Sequence, residues 1–286
     1  MNDLQPTAVD LERIRTLRII SMIIVGFAVG FMSGFLGIGG GTVMVPALVY
    51  LYGLSQHRAH GTSLAFIFPV AVYASIFYAT YGQVDWLVAL ELMIGSVVGA
   101  GIGARICACV TARRLRAYFG IFLAGVGARM LWDIRAALAL TPHNQLILGH
   151  MLSTREPLGI LVIVVTGIAT GVLSGFFGIG GGVVMIPALS LLLGYPQTVA
   201  QGISLAVIVP TSAAGSLIHT KHGNVNWTMA IWLAIGGIGG GWLGARLANV
   251  VISESVLRAI FGMLMLVMGL LMMRRSRAQT SSSAQS

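Results

Sequence analysis

The sequence predicts an all-α polytopic membrane protein, built from two homologous and inverted repeats whose helices break at glycine-rich motifs. Three observations carry that prediction. Of the 286 residues, 57% are hydrophobic and 9% charged, with a mean hydropathy of +0.91, which leaves too few polar side chains to cover a soluble surface. Apolar runs of about 17 to 25 residues recur along the whole length, each able to cross a hydrocarbon core as a helix. The stretch GFLGIGGGTVMVPAL at residues 34–48 returns as GFFGIGGGVVMIPAL at residues 175–189.

Residues 1–17 read as a polar cytoplasmic tail. Arg13, Arg15 and Arg18 before an apolar run imitate a signal peptide, but that run has a full partner in the second half, which argues against cleavage. Membrane repeat 1 occupies residues 18–132. Its first segment, residues 19–35, ends in the glycine cluster; the second, residues 43–54, is short for a full span and suggests a half-helix or a tilted one. A polar stretch at residues 55–60 precedes segment three, residues 61–81, and segment four follows at residues 86–104. Gly95, Gly99 and Gly103 lie there at four-residue spacing, a small-residue stripe suited to close helix packing. The basic cluster Arg105, Arg113, Arg114 and Arg116 then borders segment five, residues 115–131.

A connector at residues 133–156 separates the halves. Membrane repeat 2, residues 157–273, repeats the first at an offset of 141, which pairs Gly37 with Gly178, Gly61 with Gly202, Pro69 with Pro210, Trp86 with Trp227 and Arg105 with Arg246. Residues 274–286 form a C-terminal tail. If the cluster at residues 105–116 is cytoplasmic, five crossings per half place the N-terminal arginines, Arg58, Lys221, Arg274, Arg275 and Arg277 on that side too. An odd number of crossings turns the second copy over, as in many secondary transporters. The short second segment leaves the total at about eight to ten spans.

The formal charge of +9 is accounted for by positive-inside topology. No basic patch interleaved with aromatics suggests nucleic acid. Cys107 and Cys109 lie too close for an ordinary disulfide, and no further cysteine or histidine cluster completes a metal site. No cofactor is expected.

In each copy four glycines fall within five residues, Gly37, Gly39, Gly40 and Gly41, then Gly178, Gly180, Gly181 and Gly182, with Pro46 and Pro187 five positions on. Such a cluster breaks a helix and leaves backbone amides uncovered. In lipid those amides must meet protein, water or a ligand. The helix that begins near Thr42 or Val183 presents a partly positive N-terminus, which favours an anion; close packing is the alternative reason for the glycines. Ser63 and Ser204, in the paired motifs Gly-Thr-Ser and Gly-Ile-Ser, either supplement the site or serve capping and packing. Glu91 and His219 are candidates for proton coupling, with an interfacial position as the alternative for each. Arg105 and Arg246 read as anchors, with anion attraction behind that. A nucleotide site lacks the strand and the lysine it needs. A serine protease would need one nucleophile and a base, whereas here the serine is duplicated.

The two GxxGxGGG motifs with their prolines, at residues 34–46 and 175–187, and the offset of 141 resemble the TauE/SafE sulfite exporter family, over residues 19–273. The resemblance implies an inner-membrane permease for sulfite, sulfonates or other small organosulfur or organic anions, with no enzymatic activity. The expected partners are the small anion and the lipid bilayer. An anion channel-like pore and, more distantly, an intramembrane enzyme are the alternatives.

Overall fold

The computed structural model describes residues 8–107, 112–139, 157–177 and 181–283. All elements there are helical. In chain order they are α1 (Ala8–Leu36), α2 (Gly41–Tyr52), α3 (Gln56–Thr80), α4 (Trp86–Cys107), α5 (Ala112–Ala139), α6 (Pro157–Phe177), α7 (Gly182–Pro187), α8 (Gln197–Lys221), α9 (Trp227–Arg246) and α10 (Glu254–Ser283). Two π-helical segments, Ala188–Leu192 and Leu247–Val251, continue α7 and α9. Among the described residues, five helices are long and apolar enough to cross a membrane, and five shorter apolar helices accompany them.

The expected segments are present, and three boundaries move. α1 begins inside the expected polar tail. The polar stretch before segment three is not a loop: α3 starts at Gln56, one residue after an extended Ser55, so His57, Arg58 and His60 ride on its first turns. Glutamine, arginine and alanine are adequate helix formers, and this stretch holds no glycine or proline to stop the helix. α5 runs on to Ala139, inside the expected connector; residues 140–156 lie outside the described residues.

Local signals recur at the repeat offset. Asp85 Oδ1 accepts hydrogen bonds from the Leu87 and Val88 amides at the start of α4, and Asn226 Oδ1 accepts one from Met229 at the start of α9; both are N-caps that satisfy otherwise free amides. Gly53 and Gly194 adopt φ of 67° and 71°, and Gly82 and Gly223 adopt 67° and 68°, left-handed turns that close α2, the π segment after α7, α3 and α8. Pro46 sits inside α2, whereas α7 ends at Pro187 and relaxes into a π turn, one way to absorb the missing proline donor.

Packing between the halves is also paired. α1 lies against α9, and α4 against α6, with backbones in direct contact. Gly26, Gly30 and Gly34 abut Leu233, Gly237 and Gly241, while Gly95 and Gly99 abut Val164 and Ile168. Residue numbers rise together, so both pairs run parallel. The stripe on α4 is thus a packing face, as its spacing predicts: a Cβ on Gly99 would strike the Ile168 carbonyl.

α3 and α8 instead run antiparallel, with Gly61 beside Asn224 and Gly202 beside Gln83. α5 and α10 do the same, with Gly120 beside Gly269 and Met273, and Gly127 beside Gly262 and Leu266. Large apolar side chains such as Ile24, Leu87, Ile94, Val97, Ile231 and Leu271 cover the outside, with Trp86 and Trp227 exposed at helix starts, as a lipid-facing surface with interfacial tryptophans requires. Arg246 lies over the Trp242 ring at 5.3 Å, which suits an anchor at a helix end.

Candidate functional site

The break between α1 and α2 is made by three left-handed glycines. Gly37, Gly39 and Gly40 have φ of 72°, 73° and 72°, angles that cost an L-residue about 1–2 kcal/mol. The Gly37 amide still bonds back to the Ser33 carbonyl at 2.8 Å, and the helical pattern resumes when Val43 and Met44 donate to the Gly40 carbonyl. Between them, the amides of residues 38–42 have no backbone acceptor among the described residues. They are the first donors of α2 and the turn before it, and they carry the positive end of that helix.

The second half comes to meet this turn. A Cβ on Gly182, the first residue of α7, would strike the Ile38 Cα, the Gly37 carbonyl and the Ser204 hydroxyl. Ser204 Oγ donates to the Gly37 carbonyl at 3.0 Å. Its role is thus a bond across the halves, since it sits within α8 and caps no helix. Gly39 packs on Ile208, and Gly41 on Ile67, one turn of α3 beyond the buried Ser63. The structure therefore gathers Gly37, Gly39, Gly40, Gly41, Thr42, Gly182 and Ser204, with Gly181 at the head of α7 and Ser63 one turn away. Gly178 and Gly180 lie outside the described residues.

Two buried residues complete the cluster. The Gln201 side chain packs on Gly37, which has no room for a Cβ there. The Tyr78 hydroxyl stands 2.9 Å from both the Gly34 carbonyl and Gln201 Oε1, so its single hydrogen is shared between two acceptors. Asn249, on the π segment after α9, also neighbours this hydroxyl. With its oxygen engaged, Gln201 leaves Nε2 buried and without a partner, and the hydroxyls of Ser33, Thr42 and Ser63 are in the same condition. Each such group costs about 1–3 kcal/mol unless something accepts from it.

This set is rich in donors. Backbone amides, three hydroxyls and one carboxamide can all donate, and none of these groups is charged. Such a set suits an anion held by neutral donors, with charge supplied by helix dipoles. Tyr78 and Gln201 do not stand out as paired positions in the sequence, since at the repeat offset tyrosine matches histidine and glutamine matches histidine. Two polar side chains inside a span-length apolar helix were the available signal.

The proton-coupling candidates stand apart from this cluster. Glu91 is buried on α4, with Oε2 unpartnered, and its neighbours are Asp85 and Tyr195. Tyr195, in the turn before α8, is pushed up to about 12 by burial and by the carboxyls of Asp85 and Glu91. His219 lies against Gly61, near the opposite end of α8 from Gln201.

Comparison with known proteins agrees with the helical membrane architecture. The sulfite exporter TauE/SafE family model matches residues 4–130 and 161–286. A "Probable membrane transporter protein" of Xylella fastidiosa strain Temecula1 is 34% identical over 256 residues, covering 88% of this chain and 94% of the relative. The "Probable membrane transporter protein YunE" of Bacillus subtilis is 32% identical over 237 residues, covering 79% and 87%. A similarly named protein of Methanocaldococcus jannaschii is 31% identical over 267 residues, covering 88% and 94%. No solved structure gives a significant match. These names point to transport and away from catalysis. The chain is a multi-pass membrane protein that belongs to the TauE/SafE sulfite exporter family.

Proposed function

We propose that the protein is a secondary transporter that moves small anions, of the sulfite, sulfonate or related organosulfur and organic class, across the cytoplasmic membrane. The observation that carries this reading is the buried, uncharged, donor-rich cluster at the α1–α2 break, formed by the amides of residues 38–42 with Thr42 and Gln201, and Ser63 one turn away. An oxyanion of sulfur presents several acceptor oxygens and satisfies these donors without a buried lysine or arginine.

The two halves are inverted repeats in this account. Corresponding helices, α3 with α8 at the offset of 141 and α5 with α10 after one inserted residue, run antiparallel, as they would about an axis in the membrane plane. The contacts obey the same offset, since Gly26 on Leu233 matches Gly167 on Leu92, and Gly61 on Asn224 matches Gly202 on Gln83. Rocking of the halves about the Gly37–Gly182–Ser204 junction then exposes the anion to each side in turn. The arginine pattern supports cytoplasmic termini. The driving force is an ion gradient or the gradient of the anion itself, because no nucleotide motif is present in the sequence.

Purified protein in vesicles tests this. Sulfite, thiosulfate, sulfoacetate and simple carboxylates are supplied with and without a proton gradient. Saturable counterflow that accumulates one of these anions against its gradient is the expected result. Passive, non-saturating flux would instead establish a pore, and absence of flux for the whole panel would refute the substrate class.

A further inference from the structure

The α3–α8 pair carries different chemistry at its two ends. At the offset of 141, Tyr78 and Gln201 at one end correspond to His219 and His60 at the other. At the first end a phenol and a carboxamide hydrogen-bond, and neither changes charge near neutral pH. At the second end, His219 packs against Gly61, the neighbour of His60, and its Nδ1 is buried without a partner. His219 and His57 are the groups whose charge reaches His60.

Among the described residues, cationic side chains outnumber carboxylates around the two imidazoles. On α3 the other groups at this end are the exposed His57 and Arg58, and on α8 the exposed Lys221 and His222; neither helix contains a carboxylate. α9 brings no titratable side chain before Arg246, α2 brings Tyr50 and Tyr52, and residues 182–192 bring none. α1 exposes Glu12, Arg13, Arg15 and Arg18. The turn before α4, with Asp85, and α10, with Glu254, meet α8 near its other end, at Gly202 and Gln197, and Glu91 follows on α4.

We infer that His60 and His219 form a proton-operated gate between the two halves. When at most one imidazole is charged, this end of α3 and α8 stays packed. Acid adds a second proton from the adjoining water, puts like charges face to face, and parts this end while the Tyr78–Gln201 end remains closed. One end of the α3–α8 contact thereby responds to pH and the other does not. The opening is a property of the fold; only its effect on flux rests on the transport reading above.

The double substitution H60Q/H219Y gives this end the residues of the other. Backbone hydrogen exchange in purified protein, corrected for intrinsic rates, is compared at about pH 5.5 and about pH 8, which bracket an ordinary imidazole. Residues 56–62 and 216–224 are expected to exchange at least about threefold faster in acid in the wild type, and equally at both pH values in H60Q/H219Y. If the double substitution prevents folding, H60Q or H219Q alone removes the like-charge pair and gives the same flat result. Acid loosening that persists in these variants, or is absent from the wild type, overturns the gate. In vesicles the variant-to-wild-type ratio of sulfite flux cancels the protonation of sulfite itself, and it is expected to fall with acid. A wild type that loosens in acid but carries no sulfite refutes the substrate and leaves the gate standing. Sulfite flux without acid loosening refutes the gate and leaves the transporter standing.

Discussion

The two glycine clusters share a sequence, and the helices they lead into differ. Gly40 enters α2 in the left-handed conformation, at φ 72°, whereas its counterpart Gly181 enters α7 in the right-handed helical region, at φ −58°. α2 then holds for 12 residues, but α7 gives way to a π turn after six. The same divergence marks the α3–α8 contact, tyrosine and glutamine at one end and two histidines at the other. Packing glycines have diverged least, because their neighbours are backbone carbonyls that cannot move aside. The polar residues between them are free to specialise.

The largest expected effect breaks the shared part of that comparison. Gly99→Val and its counterpart Gly240→Val each drive a side chain into a backbone carbonyl, of Ile168 and of Phe27. Forcing the helices apart costs about 1–3 kcal/mol or more. Both variants are expected to lose the monodisperse peak in detergent, and to do so equally; a well-folded Gly240→Val would show that the halves do not share this packing. Alanine at Gly99 meets the same carbonyl and is expected to destabilise too.

The next effect separates the two clusters. Gly40→Ala pays the left-handed strain of about 1–2 kcal/mol, whereas Gly181→Ala carries no such strain. Gly40→Ala is expected to fold with a lowered Tm and to lose transport by more than about tenfold, in proportion to displaced amides that each contribute about 1 kcal/mol. Equal transport loss in Gly181→Ala would erase the distinction.

Smaller effects follow at the Tyr78–Gln201 end. Gln201→Leu removes one donor while keeping the volume that packs on Gly37, and it is expected to raise the half-saturating anion concentration about tenfold with little change in Tm. Tyr78→Phe leaves the Gly34 carbonyl without its partner and is expected to cost about 1 kcal/mol of stability, visible in thermal unfolding, with flux changed less than about threefold.

Much of this was legible in the sequence because lipid leaves few solutions. Span length, proline and glycine positions and one fixed offset were enough to place the segments. Helix ends were less legible: nothing in Gln56-His57-Arg58-Ala59-His60 forces a loop, and polarity alone suggested one. Of the candidate site, duplication in the sequence pointed to the glycines and Ser204. It did not reveal that Ser204 bonds across to Gly37, since a serine after glycine reads equally well as a cap. That Gln201 and Tyr78 bond to each other became visible only when two helices distant in sequence lay side by side.

The central claim is that the donors at the α1–α2 break hold the anion, and ligand-dependent stability tests it most directly. A ligand that binds only the folded protein raises stability by an amount set by its concentration relative to Kd, about 2.7 kcal/mol at a hundredfold excess. Titrating sulfite into purified wild type and Gln201→Leu, with chloride as control, is expected to raise the Tm of the wild type and to shift the variant's response to about tenfold higher sulfite. Identical titration curves for the two proteins would place the anion elsewhere and contradict the account.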